Sequence, residues 1–134
     1  MKKKIILFSI LILAAILAVI FWLKPEKKAY PMQTAKAGAV DIEAQPKRLR
    51  RGDEMIFTLT LDNHSIDLNY DYLKIAVAVD NDGTLYKPVG WTGGSSGHHV
   101  SGDLIFDTLS SKASHIGLNF TGVDDQNISF DWEL

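Results

Sequence analysis

The sequence predicts an all-β domain, an antiparallel sandwich of about seven strands, carried behind one N-terminal transmembrane helix. Three observations lead there. Ile5 to Leu23 form nineteen consecutive residues without a charge. After residue 38 the apolar residues recur with a period of two. Glycine, proline and Asp/Asn clusters punctuate those alternating stretches where turns are needed.

The apolar run comes first. At about 1.5 Å per residue, nineteen residues reach roughly 28 Å, close to the hydrocarbon thickness of a bilayer. Lys2, Lys3 and Lys4 lie against its start, and Phe21 and Trp22 sit at its far end as interfacial anchors. Residues 1–4 are therefore expected in the cytoplasm, 5–23 across the cell membrane as a single-pass signal anchor, and the remainder outside. The alternative is a cleaved signal peptide. The run exceeds the ~7–15 residues of a signal h-region, and the Ala35-Lys36-Ala37 cleavage-like match lies twelve residues beyond it. In either case the body leaves the cytoplasm.

Residues 24–38, with Pro25, Pro31 and many polar side chains, read as a linker. The β-body follows over 39–134. Val40, Ile42 and Ala44 alternate with Asp41, Glu43 and Gln45, and Met55, Phe57, Leu59 and Leu61 with Ile56, Thr58, Thr60 and Asp62. Leu73, Ile75, Val77 and Val79 alternate with Lys74, Ala76, Ala78 and Asp80, which predicts the bulkier set inward. Val100, Leu104 and Phe106, then Ile116, Leu118 and Phe120, then Ile128, Phe130, Trp132 and Leu134 continue the pattern. Asp80-Asn81-Asp82-Gly83 predicts a hairpin turn, and Thr84–Lys87 adds a short strand. Such a series suits an immunoglobulin-like sandwich, with a small closed barrel as the alternative. No window after residue 38 carries a helical period.

Composition narrows the chemistry. A chain of 134 residues holds one ordinary domain. The absence of cysteine removes disulfides, thiolate nucleophiles and every thiolate-bound metal centre. Residues 1–28 carry six lysines and one acid, whereas 29–134 carry eight basic and fifteen acidic side chains, a net −7. A body of that sign, taken whole, has no electrostatic reason to bind nucleic acid or an anionic lipid surface.

Several stretches resemble uncharacterised bacterial extracytoplasmic, membrane-anchored immunoglobulin-like β-domains. They are Leu61-Asp62-Asn63-His64-Ser65-Ile66-Asp67-Leu68, then Asp80-x-x-Gly83-x-x-Tyr86-x-Pro88-x-x-Trp91, then Gly97-His98-His99-x-x-Gly102-x-Leu104-x-Phe106, and the closing Phe130-x-Trp132. The resemblance covers about residues 53–134. It implies location and fold, and no activity.

Among chemistry-bearing residues, His98 and His99 stand out, following the flexible Gly93-Gly94-Ser95-Ser96-Gly97 loop. With His64 from another loop and Asp103 on the His99 face of the strand, they are the candidate ligands for copper or zinc. The competing reading makes these histidines loop residues that hydrogen-bond nearby backbone. Trp91, Tyr70 and Tyr72, with Tyr86, are candidates for an exposed interaction surface or for partial core. Asp67-x-Asn69-x-Asp71 starts like a calcium loop, but Tyr72 occupies the required glycine position and Ala78 the distal carboxylate position. Ser95 matches Gly-x-Ser-x-Gly without the helix that a nucleophile elbow needs after it. Arg51-Gly52-Asp53 reads as a turn, and the run Lys47–Arg51 is the one positive patch of the body, a solvated loop by default and otherwise a contact for lipid headgroups or an acidic partner. The functional expectation is a non-enzymatic, membrane-anchored binding or assembly module that contacts another protein or membrane complex. It needs no cofactor. Extracytoplasmic copper or zinc binding is the alternative.

Overall fold

The computed structural model describes residues 12–19, 22 and 28–134. The expected cytoplasmic residues and much of the expected span lie outside the described residues. Residues 12–19 and 22 are helical and exposed, and among the described residues no helix is long and apolar enough to cross a membrane.

The body is all-β and consists of two antiparallel sheets with nine strands. They are β1 (Gln33–Ala37), β2 (Val40–Arg48), β3 (Glu54–Asp62), β4 (Ala76–Asp80), β5 (Leu85–Tyr86), β6 (Pro88–Trp91), β7 (His99–Thr108), β8 (His115–Val123) and β9 (Gln126–Glu133). One sheet has the order β1-β2-β3-β7-β6, the other β5-β4-β8-β9. The chain changes sheet between β3 and β4, between β5 and β6, and between β7 and β8.

Two strands exceed the expected seven, and both corrections are physical. β1 falls inside the stretch expected to be linker. Its inward residues are Ala35 and Ala37, too small to mark an apolar period, yet Ala37 is fully buried and pairs with Val40 across the β1–β2 turn. β6 contains Pro88 and Gly90, which argue against a strand. At a sheet edge the missing proline N–H is tolerated, and the register shifts between those two residues.

Most inward faces agree with the alternation. Met55, Phe57, Leu59 and Leu61 of β3 and Leu104 and Phe106 of β7 are buried against Ile116, Leu118, Phe120, Phe130 and Trp132 of the other sheet. Phe57 meets Phe106 edge-on at 5.8 Å and Trp132 at 5.3 Å, which joins the two layers through aromatic contacts. β4 is the exception. Ala76, Ala78 and Asp80 point inward, while Val77 and Val79 are half-buried on the other face and Leu73 is exposed. Ala76 pairs with Phe120 and Ala78 with Leu118, so small residues lie beside the large ones that fill that layer. The residues before Ala76 also form a single helical turn, Tyr72–Ile75, which the absence of a helical period did not foretell. One turn is too short to show a period.

The Asp80–Gly83 hairpin forms as expected. Gly83 has φ +79°, and its N–H donates to the Asp80 carbonyl at 3.0 Å. The Asp80 carboxylate accepts from the Asp82 and Thr84 amides at 3.0 and 2.9 Å and from the Tyr86 hydroxyl at 2.8 Å. Burial pushes that carboxyl up, but these hydrogen bonds outweigh it and hold the group below its ordinary value.

The open edges of the sheets are tied together. Beside β1, the Gln33 side chain donates to the Asp131 carbonyl and accepts the Asp131 N–H, copying one rung of a ladder between β1 and β9. Trp132 donates its indole N–H to the Pro31 carbonyl at 2.9 Å. On the opposite side, the one-residue connection at Lys87 passes directly from β5 to β6.

Candidate functional site

The strands run between two poles. Where the chain arrives at Tyr30, the β2–β3, β4–β5 and β7–β8 connections gather. There the Gly52 N–H donates to the Leu109 carbonyl at 2.8 Å and the Ser114 N–H to the Asn81 side chain at 2.7 Å. The other pole holds the β1–β2 and β8–β9 turns, where the Ala39 N–H donates to Asp124 at 2.7 Å. It also holds the loops 63–71 and 92–98, which carry most of the residues singled out in the sequence.

These two loops are stapled to each other. Asn63 donates its backbone N–H to the His98 carbonyl at 3.0 Å, and Leu68 donates to Gly97 at 2.8 Å. Gly97 donates back to the Asp67 carboxylate. Inside the first loop the Asn63 side-chain oxygen accepts from the Ser65 and Ile66 amides at 2.8 and 2.7 Å, an Asx turn. Asn63 itself is buried. Its Nδ2 is buried without a hydrogen-bond partner among the described residues.

His98 lies across the gap between the loops. Its Nδ1 is 2.7 Å from the Ile66 carbonyl, which can only accept, so Nδ1 carries a proton and, in the neutral ring, Nε2 is the nitrogen with the lone pair. His99 pairs with Asp62 across the β3–β7 ladder and places Nδ1 on the Asp62 carboxylate, which leaves its Nε2 in the same condition. The His64 ring stands edge-on to His99 at 6.2 Å. Among the described residues no three His, Asp or Glu side chains converge as a metal site.

Asp103 is not part of this group. It lies four residues further along β7, roughly 13 Å away. Its carboxylate receives Lys47 Nζ at 2.5 Å and the Thr58 hydroxyl at 2.7 Å. The hydrogen bond from Lys47, then that from Thr58, holds the carboxyl below its usual range. Its expected role as a metal ligand beside the histidines is corrected by that separation.

The aromatic residues are also placed differently from an exposed surface. Tyr72 is buried, stacks on Trp91 at 4.5 Å, meets Tyr70 edge-on at 6.2 Å and donates its hydroxyl to the Leu68 carbonyl at 3.2 Å. Burial pushes its phenol up to about 12. Tyr70 and Trp91 are half-buried. Tyr70 Oη accepts the Asp124 N–H at 3.0 Å, and Trp91 donates its indole N–H to Gly94 at 3.0 Å. The three rings brace the loops from beneath.

Two glycines complete the fitting. A Cβ at Gly102 would lie 2.4 Å from the backbone N and Cα of Gly93, and one at Gly93 would lie 2.3 Å from the Trp91 ring. The 92–98 loop thus folds back onto β7 with backbone against backbone, under the Trp91 ring. Ser95 sits on this loop, and strand β7, not a helix, follows it. Asp67 and Asp71 are used locally, Asp67 on Gly97 and Asp71 on Lys74 at 2.9 Å.

No protein-family model matches the chain, and no curated protein matches it. Among solved structures, it is similar to a DUF4426 family protein from Pseudomonas aeruginosa PAO1 at 12% identity and a TM-score of 0.48, covering 77% of this chain and 94% of that one. It is also similar to the secreted Mycobacterium tuberculosis protein MPT63 at 15% identity and a TM-score of 0.49, covering 81% of this chain and 95% of that one.

Proposed function

We propose that this chain is a non-enzymatic, membrane-anchored binding module whose immunoglobulin-like sandwich stands outside the cell membrane and presents its far-pole loops to another protein. The observation that carries the reading is the stapling of loops 63–68 and 92–98 to each other, at the pole opposite the arriving chain. Loops held rigid on a sandwich end are recognition surfaces whose ordering cost is met by the fold itself. His64, Ser65, Ser95, Ser96, His98 and His99 are all exposed there. The membrane half of the proposal draws on the uncharged run Ile5–Leu23 and on the exposure of Ile12, Leu13, Ile16 and Leu17 in the described helical residues. The immunoglobulin-like assignment draws on three changes of sheet within one antiparallel sandwich.

A photo-crosslinking amino acid at Ser65 or Ser95 of the full chain in its own membrane tests this. The expected result is one discrete adduct from both positions, absent when the probe replaces Glu43 on β2. Identical adducts from all three positions, or none from the loops, would overturn the proposal.

Copper or zinc binding is the second reading. It is favoured by the Asp62–His99 pair, since a carboxylate on Nδ1 orients an imidazole and raises the basicity of Nε2 toward a metal. Calorimetric titration of the full chain and of a His98→Ala/His99→Ala variant decides it. One-to-one binding lost in the variant supports a metal role, and equal heats in both proteins exclude one.

A further inference from the structure

A concavity of about 960 Å³ lies at the pole where the chain arrives. Lys28 from the arriving segment and Lys47, Arg48, Arg50 and Arg51 from the β2–β3 connection line it around a floor of Tyr30, Leu49 and Ile56. The two basic segments are nineteen residues apart in sequence. β1 and β2 bring them together by running out and back. Half of the eight basic side chains in residues 29–134 face this one cleft, on a body whose net charge is −7.

The charge is only partly spent. Lys47 pairs with Asp103 and Arg48 with Glu54. Lys28 donates to the Glu133 carbonyl at 3.0 Å, and Arg51 donates to the Ala113 carbonyl and to a main-chain oxygen of Leu134. The Glu133 and Ala113 carbonyls orient a cation without neutralising it. Arg50 makes no side-chain hydrogen bond among the described residues. Five cations against Asp53, Asp103 and Glu54 leave a side-chain surplus of two positive charges beside the apolar Leu49 and Ile56.

We infer that this cleft binds the phosphate of an anionic phospholipid in the leaflet from which the chain emerges. Distance favours that occupant. Lys28 follows Leu23, the end of the expected span, by five residues, at most ~18 Å of fully extended chain. The headgroup layer takes up about 5–8 Å of that reach. Guanidinium groups suit phosphate through paired N–H donors, and the Leu49–Ile56 floor suits the glycerol and upper acyl carbons. The acidic excess of the body does not oppose this, because charges beyond a Debye length of about 8 Å are largely screened at physiological salt. The lipid would hold the far-pole loops away from the bilayer.

The inference rests on the anchored reading, and the test separates the two. The full chain in neutral detergent micelles is titrated with dihexanoyl phosphatidylglycerol, dihexanoyl phosphatidylcholine, inorganic phosphate and an oligo-glutamate peptide, with amide shifts of residues 47–53 as the readout. The expected result is phosphatidylglycerol binding at least tenfold tighter than the other three. Arg50→Gln should weaken it about fivefold, and Lys36→Gln at the far pole should leave it unchanged. Equal affinity for the two lipids, phosphate or peptide binding as tight as phosphatidylglycerol, or an unaffected Arg50→Gln variant would each overturn it. Alkaline carbonate extraction of native membranes tests the anchor alone. Release of the chain there would refute the anchor without touching the titration.

Discussion

Replacing Gly102 with alanine tests how the far-pole loop is held. Neither Gly102 nor Gly93 has a positive φ, so alanine meets no backbone strain of its own at either position. The whole effect of Gly102→Ala must come from contact. The new Cβ would lie 2.4 Å from both the N and the Cα of Gly93, and 3.0 Å from the tip of the Trp91 ring. Because the first two neighbours are backbone, no rotamer change relieves the overlap. The 92–98 loop must lift, and the Trp91 ring that stacks on Tyr72 must shift with it by a few tenths of an ångström. Overpacking of this kind costs about 1–3 kcal/mol, and the rigid neighbours place it toward the upper end. For a domain of this size ~2–3 kcal/mol lowers Tm by roughly 8–20 °C. Gly94→Ala is the matched control, since a Cβ there has nothing within 4 Å. Urea unfolding followed by circular dichroism gives both free energies, and near-ultraviolet dichroism reports the Trp91–Tyr72 stack. If Gly102→Ala falls within ~0.5 kcal/mol of Gly94→Ala, the range of surface substitutions, the backbone-on-backbone account of the loop is wrong.

His98→Ala removes one hydrogen bond to the Ile66 carbonyl and should cost about 1 kcal/mol, with faster amide exchange at Leu68 and Gly97 and unchanged exchange in β3. Asp80 controls part of the acid response. Its folded pKa is depressed, so its contribution is complete above the unfolded value near ~3.9 and is lost as pH falls through the lower folded value. Urea midpoints should therefore drop below about pH 4, and Asp80→Asn should lower stability at pH 7 while flattening that acid limb. Ala78→Val, facing in opposite Leu118, should destabilise by about 1–3 kcal/mol, whereas Val79→Ala should cost under ~1 kcal/mol, its side chain being only half-buried on the outer face. Urea denaturation of the pair checks which face of β4 is inside.

The architecture was legible because alternation is a direct record of burial in a sandwich. β2, β3, β7, β8 and β9 each show large apolar residues on one face, and each face is inside. The misreadings of β1 and β4 share a cause, which is the use of side-chain size as a proxy for direction. In β4 the larger valines are outside, because Leu118 and Phe120 on β8 already fill the layer that Ala76 and Ala78 border. In β1 alanines give no signal at all. The candidate site was legible only as a list of residues. His98, His99 and His64 are brought to one pole, but their pairing with Ile66 and Asp62 depends on the β3–β7 register, which no local pattern encodes. Asp103 shares a strand face with His99, yet a period of two says nothing of the distance along that face. The basic cleft was half visible as Lys47–Arg51. Lys28 and Tyr30, which also line it, come from a segment that reads as linker.

The stretch Gly97-His98-His99-x-x-Gly102 is singled out by its paired histidines and flanking glycines, and the structure gives nearly every marked residue a mechanical task. Gly97 turns at φ +102° and offers its N–H to Asp67, His98 reaches Ile66, His99 pairs with Asp62, and Gly102 makes room for Gly93. Such a motif can recur for folding reasons alone, so its presence does not discriminate between a metal site and a recognition loop. What discriminates is the set of atoms those tasks leave over. Both histidines spend Nδ1 and keep Nε2, while the amide of Asn63 keeps a buried donor. An imidazole needed only as a staple can be replaced by a side chain that donates from the same place, such as asparagine, with little loss. An imidazole whose Nε2 meets a metal or a partner cannot. His98→Asn and His99→Asn therefore separate the structural use of these residues from any functional one. Full stability with full binding in both variants would leave the loop backbone and Ser65 and Ser95 as the recognition surface, and full stability with lost binding would place the function on Nε2.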